Sequence, residues 1–133
     1  MATPTDVPRD EIAAEDFFQA LADNTRLRCV MLIAQHGELC VCELVHALDL
    51  SQPKISRHLK LLRDAGVLDD RRERVWVYYR IGKQLPGWAR EVIEATAQAN
   101  ARSEPFMRDT QRLATMVDRP GERCSTPPVT DPA

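Results

Sequence analysis

Apolar residues recur along this chain with helical spacing on either side of one short stretch that alternates like a strand. Ile12, Phe17, Phe18 and Leu21 give one apolar side to a first predicted helix, from about Glu11 to Ala22. Asn24 or Thr25 is placed to cap a second, Arg26 to His36, which Gly37 closes. Leu27, Val30, Met31, Leu32 and Ile33 cover much of that helix, so it is expected at the centre of the molecule. A third, short helix is predicted over Val41 to Leu48, then a tight turn at Asp49-Leu50-Ser51. Ser51 caps a fourth, with Pro53 in its first turn, where a missing N–H costs nothing. Ile55, Leu59 and Leu62 line one side of it, and Gly66 stops it after Ala65.

The pattern then changes period. Val67 to Asp70 and Val75 to Ile81 flank the polar turn Arg71-Arg72-Glu73-Arg74, and the second run is rich in the β-branched and aromatic residues that strands favour. A β-hairpin with a basic tip is the expectation. Pro86 precedes a long last helix from near Trp88, with Trp88, Val92, Ala95 and Ala99 on one stripe. Pro105 interrupts it, and a second piece runs to about Met116. Residues 1–10 and 118–133 are polar and proline-containing and read as disordered tails around one domain, 11–117.

Composition agrees with one small, mainly helical domain: 133 residues, 44% apolar, 5% aromatic and 29% charged. No stretch approaches the roughly 18 apolar residues of a membrane span. The first ten residues lack a basic start and an apolar run, so the cytoplasm is the expected location. The net charge of −2 conceals a strong asymmetry. Residues 1–50 hold 3 basic and 9 acidic residues, whereas 51–80 hold 8 basic and 4 acidic. Local positive density is what a phosphate backbone responds to.

Two helices joined by a short turn and followed by a hairpin make a winged helix-turn-helix. The outward side of the fourth helix is expected to offer Gln52, Lys54, Ser56, Arg57, His58 and Lys60 beyond its cap, Ser51. These are side chains that bond base edges and phosphates. Arg71, Arg72 and Arg74 on the hairpin are placed to reach phosphates or a minor groove. The plainer reading of such a helix is a solvated face, and the flanking elements weigh against it.

Here the motifs become specific. Leu21-Ala22-Asp23-Asn24-Thr25-Arg26-Leu27 resembles the LADxTRL signature of the ArsR/SmtB family, and Ser51 to Leu62 with Gly66-Val67-Leu68 resembles the same family's reading helix. Glu38 to Leu44 is similar to the ELCVCDL segment of its arsenic-sensing branch. The resemblance spans about Phe18 to Val92. It implies a homodimeric repressor that binds operator DNA and is released by arsenite or antimonite, with no permanent cofactor. It also implies a dimer contact built from the first and last helices.

Soft thiolates suit a thiophilic ion such as trivalent arsenic, which takes three sulfurs in a pyramid. Cys40 and Cys42 are the candidate ligands; ordinary cytosolic thiols filling space are the alternative. Residues two apart in a helix point about 200° from each other. In extended chain they point the same way, so one ion can grip both easily only if this segment is not helical. Ligand binding is expected to unwind or distort the start of the third helix and so displace the reading helix. Members of this branch often carry a further cysteine where this chain has Val45. Cys124, Cys29, or neither, supplies the third sulfur; Cys124 is ranked ahead because Cys29 lies in an apolar helix. A two-thiolate site completed by water or an organic substituent is the remaining form.

Other metal sensors, a redox switch and a thiol enzyme are the rival readings. Cadmium or lead sensors of the family add N-terminal cysteines, and residues 1–28 contain none. Zinc sensors place Asp and His on the last helix, and no His follows His58; His36 and His46 read as surface or packing residues. A redox switch would use Cys40 and Cys42 themselves, although a CxC pair is tight for a disulfide. A thiol enzyme would need a phosphate-cradling loop or a CxxC before a helix, and neither is present.

Overall fold

The computed structural model describes residues 12–117. The two polar tails read from the sequence, 1–10 and 118–133, and Cys124 with them, lie outside the described residues. Six helices and three strands follow in the order α1 (Ala14–Leu21), α2 (Asn24–His36), β1 (Glu38–Cys40), α3 (Val41–Leu48), α4 (Gln52–Asp64), β2 (Leu68–Glu73), β3 (Trp76–Ile81), α5 (Gly87–Asn100) and α6 (Phe106–Ala114). This is a winged helix-turn-helix: α3 and α4 form the helix-turn-helix, and β2 and β3 form the wing.

Several boundaries follow from local chemistry. The cap of α2 is Asp23, one residue before the expected Asn24; its carboxylate accepts from the Arg26 N–H at 3.0 Å. α1 begins at Ala14, three residues later than the pattern suggested. Gly37, at φ 86°, ends α2 in a conformation that residues with a Cβ rarely adopt. Asp49 takes the left-handed region, φ 58°, at the end of α3 and so turns the chain toward α4. Pro105 separates α5 from α6, as its missing N–H requires.

β1 was not foreseen. It adds a third, outer strand to the wing, in the order β1-β3-β2, all antiparallel. Glu38 faces Arg80, Leu39 faces Tyr79 and Cys40 faces Tyr78. By the two-residue alternation of strands, Leu39, Tyr79, Val77 and Leu68 turn inward to the main core. Cys40, Trp76 and Tyr78 share the other face and form a separate small cluster, against which Cys42 packs.

The core is centred on α2, whose Cys29, Val30, Met31, Leu32 and Ile33 are all buried. Ile55, Leu59 and Leu62 fix α4 to it, as their spacing predicted. α5 departs from expectation. Ala89, Ile93 and Ala97 face the core, while Trp88 and Ala95 of the predicted stripe are exposed and Val92 is half-buried. The expected apolar stripe is therefore the outer side of the helix.

Candidate nucleic-acid interface and thiol site

α4 presents its first turn outward. Ser51 caps it, its hydroxyl facing the Lys54 N–H at 3.4 Å. Gln52 Nε2 donates to Ser56 Oγ at 2.7 Å, which orders two polar side chains on one side of the helix. Arg57 and Lys60 are exposed, Lys60 pairing with Asp64 one turn on at 3.1 Å. Such an exposed pair contributes little to stability, so Lys60 can leave it for a phosphate.

His58 corrects the sequence reading. It was expected on the exposed face, yet it is only 9% exposed. Its Nδ1 lies 3.2 Å from Arg26 Nη1 and 3.9 Å from an Asp23 oxygen. Burial, with the positive charges of Arg26, Arg57 and Lys54, holds its pKa below the ordinary histidine value against the pull of Asp23. It ties the reading helix to the start of α2.

The hairpin arginines divide. Arg72 and Arg74 are exposed, and Arg74, at φ 62°, sits in the turn. Arg71 was expected to point at DNA in the same way, but it is engaged on the sheet. Its guanidinium meets both oxygens of Glu38 at 2.8 and 3.0 Å, meets Glu73 at 2.6 Å, and stacks 4.6 Å over the Tyr78 ring. The fork geometry of arginine suits this two-oxygen grip. Arg71 therefore fastens β2 to β1 across β3.

The two thiols are brought together without any unwinding of α3. Cys40 is the N-cap of α3, with extended backbone (φ −91°, ψ 169°), and only Cys42 lies within the helix. The two sulfurs are 2.8 Å apart, close enough for one thiol to donate to the other, in either direction. The requirement that this segment not be helical is thus met at its cap: the 200° separation holds between two helical positions, and Cys40 is not one. Glu43, buried, accepts the Cys40 N–H at 2.8 Å and closes the cap. The shared hydrogen bond and burial push the Cys40 thiol well above the ordinary range. A thiophilic ion must displace that proton to bind.

Cys29 is elsewhere in character. It is fully buried in the α2 core, and burial pushes its thiol up to about 12. Among the described residues no group of three or more His, Cys, Asp and Glu is placed to hold a metal ion. Cys124 lies outside them. Among the described residues, too, no helix is long and apolar enough to cross a membrane.

Residues 23–70 match the family described as bacterial regulatory protein, arsR family. Over 103 residues, 77% of this chain and 79% of the relative, the sequence is 54% identical to the arsenic resistance transcriptional regulator ArsR1 of Pseudomonas putida. The chain belongs to the arsR family. It is also 56% identical over 77 residues to the arsenical resistance operon repressor of Escherichia coli, covering 58% of this chain and 66% of that one. Among solved structures it resembles the AntR antimony-specific transcriptional repressor, with a TM-score of 0.55 and 26% identity over 78% of this chain and 96% of that one.

As an arsR-family protein the chain is a DNA-binding transcriptional regulator and not an enzyme. Some parts of its site escaped the sequence. The role of Glu43 as a reciprocal cap is local to α3, whereas those of Trp76 and Tyr78 as walls for the thiols depend on the pairing of β1 with β3. Three residues carry too little periodicity to reveal such a strand. The Glu three residues after Cys40 was the available signal, but a cysteine cap is unusual.

Proposed function

We propose that this chain is an arsenite- and antimonite-responsive repressor that binds operator DNA as a homodimer in the cytoplasm and leaves it when the ion is held by Cys40 and Cys42. The observation that carries the reading is the pair of sulfurs 2.8 Å apart at the N-cap of α3, the helix that packs directly on α4. The relatives named for arsenic resistance support the choice of ion.

Ser51, Gln52, Lys54, Ser56, Arg57 and Lys60 lie along the major-groove side of α4, and Arg72 and Arg74 extend the contact from the wing. His58 and Arg71 serve this surface as braces rather than as contacts. Dimerisation uses the outer side of α5 with α1. Phe18 and Trp88 are 50% and 38% exposed, their rings 6.2 Å apart, which supports an apolar seam for a second copy.

An ion replacing the proton donated between the thiols must spread the two sulfurs, and Cys40 cannot move without loosening the first turn that it caps. A ligand shifts the equilibrium only by its preference for the non-binding form; here that preference is the strain relieved when α3 gives way. Cys124 supplies the third sulfur. Thr115, just beyond α6, lies 3.0 Å from His46, one turn along α3 from Cys42. The nine residues from 115 to 124 span up to about 30 Å when extended, ample for the distance.

The test is operator binding by fluorescence anisotropy with arsenite, antimonite, cadmium, lead and zinc added in turn, and with peroxide in metal-free buffer. Release by the first two at the lowest concentrations supports the reading. Release by zinc or cadmium alone, or by peroxide with no response to arsenite, replaces it with a rival.

A further inference from the structure

We infer that α6 is a clasp on α3, and that Arg112 and Asp109 are positioning residues for operator binding that set how much inducer is needed for release. α3 has a different anchorage at each end. Its N-terminal end carries the thiols. Its C-terminal end, which leads into the turn before the reading helix, leaves its last carbonyls without partners inside the helix, as every helix does. Two arginines take two of them, those of His46 and Leu48. Arg112 of α6 donates from Nε to the His46 carbonyl at 3.3 Å, and its Nη2 lies 3.5 Å from the Asp49 carboxylate in the turn itself. Arg28 of α2 donates from Nη2 to the Leu48 carbonyl at 3.2 Å.

The second arginine also depends on α6. Asp109, 1% exposed, grips Arg28 through both oxygens, at 2.7 and 2.9 Å. Neither member of such a buried pair can leave the other without stranding a desolvated charge, so Asp109 holds Arg28 in one place. Here the partner is the group that caps α3. Positive charge at this end also suits the helix dipole. α6 thus acts on the helix-turn-helix through the C-terminal end of α3 and its exit turn, the end opposite the thiols.

The consequence is a two-state argument that rests on the reading of Cys40 and Cys42 as inducer ligands. Contacts to the last turn of α3 favour the pose that presents α4. Removing them makes the non-binding pose cheaper, so inducer binding becomes tighter. Operator affinity falls less when the binding pose is already the major one, which makes the inducer midpoint the sensitive readout.

The test uses Arg112→Ala, at a half-exposed helical position that tolerates alanine, with Asp109→Asn as the buried counterpart and Arg112→Lys as a partial rescue. In operator-release titrations Arg112→Ala is expected to lower the arsenite midpoint roughly three- to ten-fold, within the range for residues that couple sites without touching either ligand. Its melting temperature stays within a few degrees of the parent, and Arg112→Lys recovers part of the shift. Hydrogen exchange of the full chain without inducer is the second readout. The amides of α3 and of residues 49–51 should exchange faster in Arg112→Ala, whether or not the thiols bind arsenite. If the parent ignores arsenite, the ligand reading fails and exchange alone judges the clasp. An unchanged exchange pattern, or an unchanged midpoint in an arsenite-responsive protein, overturns the inference.

Discussion

Arg26 Nη1 lies 3.2 Å from His58 Nδ1, so the arginine of the Leu21–Leu27 motif braces α4 from behind. Arg26 also donates from Nε to the Ala20 carbonyl at 2.7 Å, which joins α1, α2 and α4 at one point. A neutral imidazole accepts from the guanidinium; a protonated one repels it.

This gives a pH dependence with a definite sign. The folded pKa of His58 is depressed below the unfolded value, so its contribution is present above the unfolded pKa, near 6.5, and is lost as pH falls through the folded pKa. Stability to urea should therefore decline on acidification below about pH 6.5. His58→Gln, which keeps an acceptor but does not titrate, should flatten that part of the profile. An equally steep decline in the variant would refute the assignment.

Cys40→Ser and Cys42→Ser should each abolish arsenite-driven release while leaving operator affinity within about two-fold of the parent. Serine at 40 is itself a favoured cap, so α3 should not fray. Cys29→Ala should keep the arsenite response, since that thiol is buried and raised to about 12. Loss of response in Cys29→Ala, with the fold intact by circular dichroism, would place the third sulfur in the α2 core instead of at Cys124.

Arg57→Ala should weaken operator binding by roughly 1–3 kcal/mol, and the slope of log K against log salt should fall by about 1 if Arg57 meets a phosphate. Arg71→Ala should behave differently. Its guanidinium is engaged by Glu38, Glu73 and Tyr78, so the salt slope should stay as in the parent while thermal stability drops modestly. A salt slope lowered by Arg71→Ala would mean that the arginine leaves the sheet for DNA.

If the proposed dimer forms through this seam, Trp88→Glu should leave a monomer in analytical ultracentrifugation and reduce operator affinity by more than ten-fold, because each monomer carries only one reading helix. A Trp88→Glu protein that still sediments as a dimer would move the seam away from α1 and α5.

The sequence disclosed most of this architecture because α2, α4 and β3 each carry a clear period. Ile55, Leu59 and Leu62 could only face inward together, and Ser51 with Pro53 could only begin a helix. What escaped depended on contacts between distant segments. His58 shares the helix with Lys54 and Arg57 and reads as one more polar residue until α2 is laid beside it. Arg71 is indistinguishable from Arg72 and Arg74 until β1 brings Glu38 alongside, 33 positions away in the chain. The two thiols looked opposed because the angular rule for two helical positions was applied to a pair of which only Cys42 lies inside the helix; Cys40 is its cap, with extended backbone.

The small cluster on the outer face of the sheet has an optical consequence. Trp76 is one of only two tryptophans in the chain, and it belongs to the same cluster as Cys40. The other, Trp88, stacks edge-on against Phe17 in a different part of the molecule, 5.2 Å between ring centres. Replacing Trp88 with phenylalanine leaves a single indole as an intrinsic fluorophore beside the sulfurs, so occupancy can be followed by its emission with no label attached.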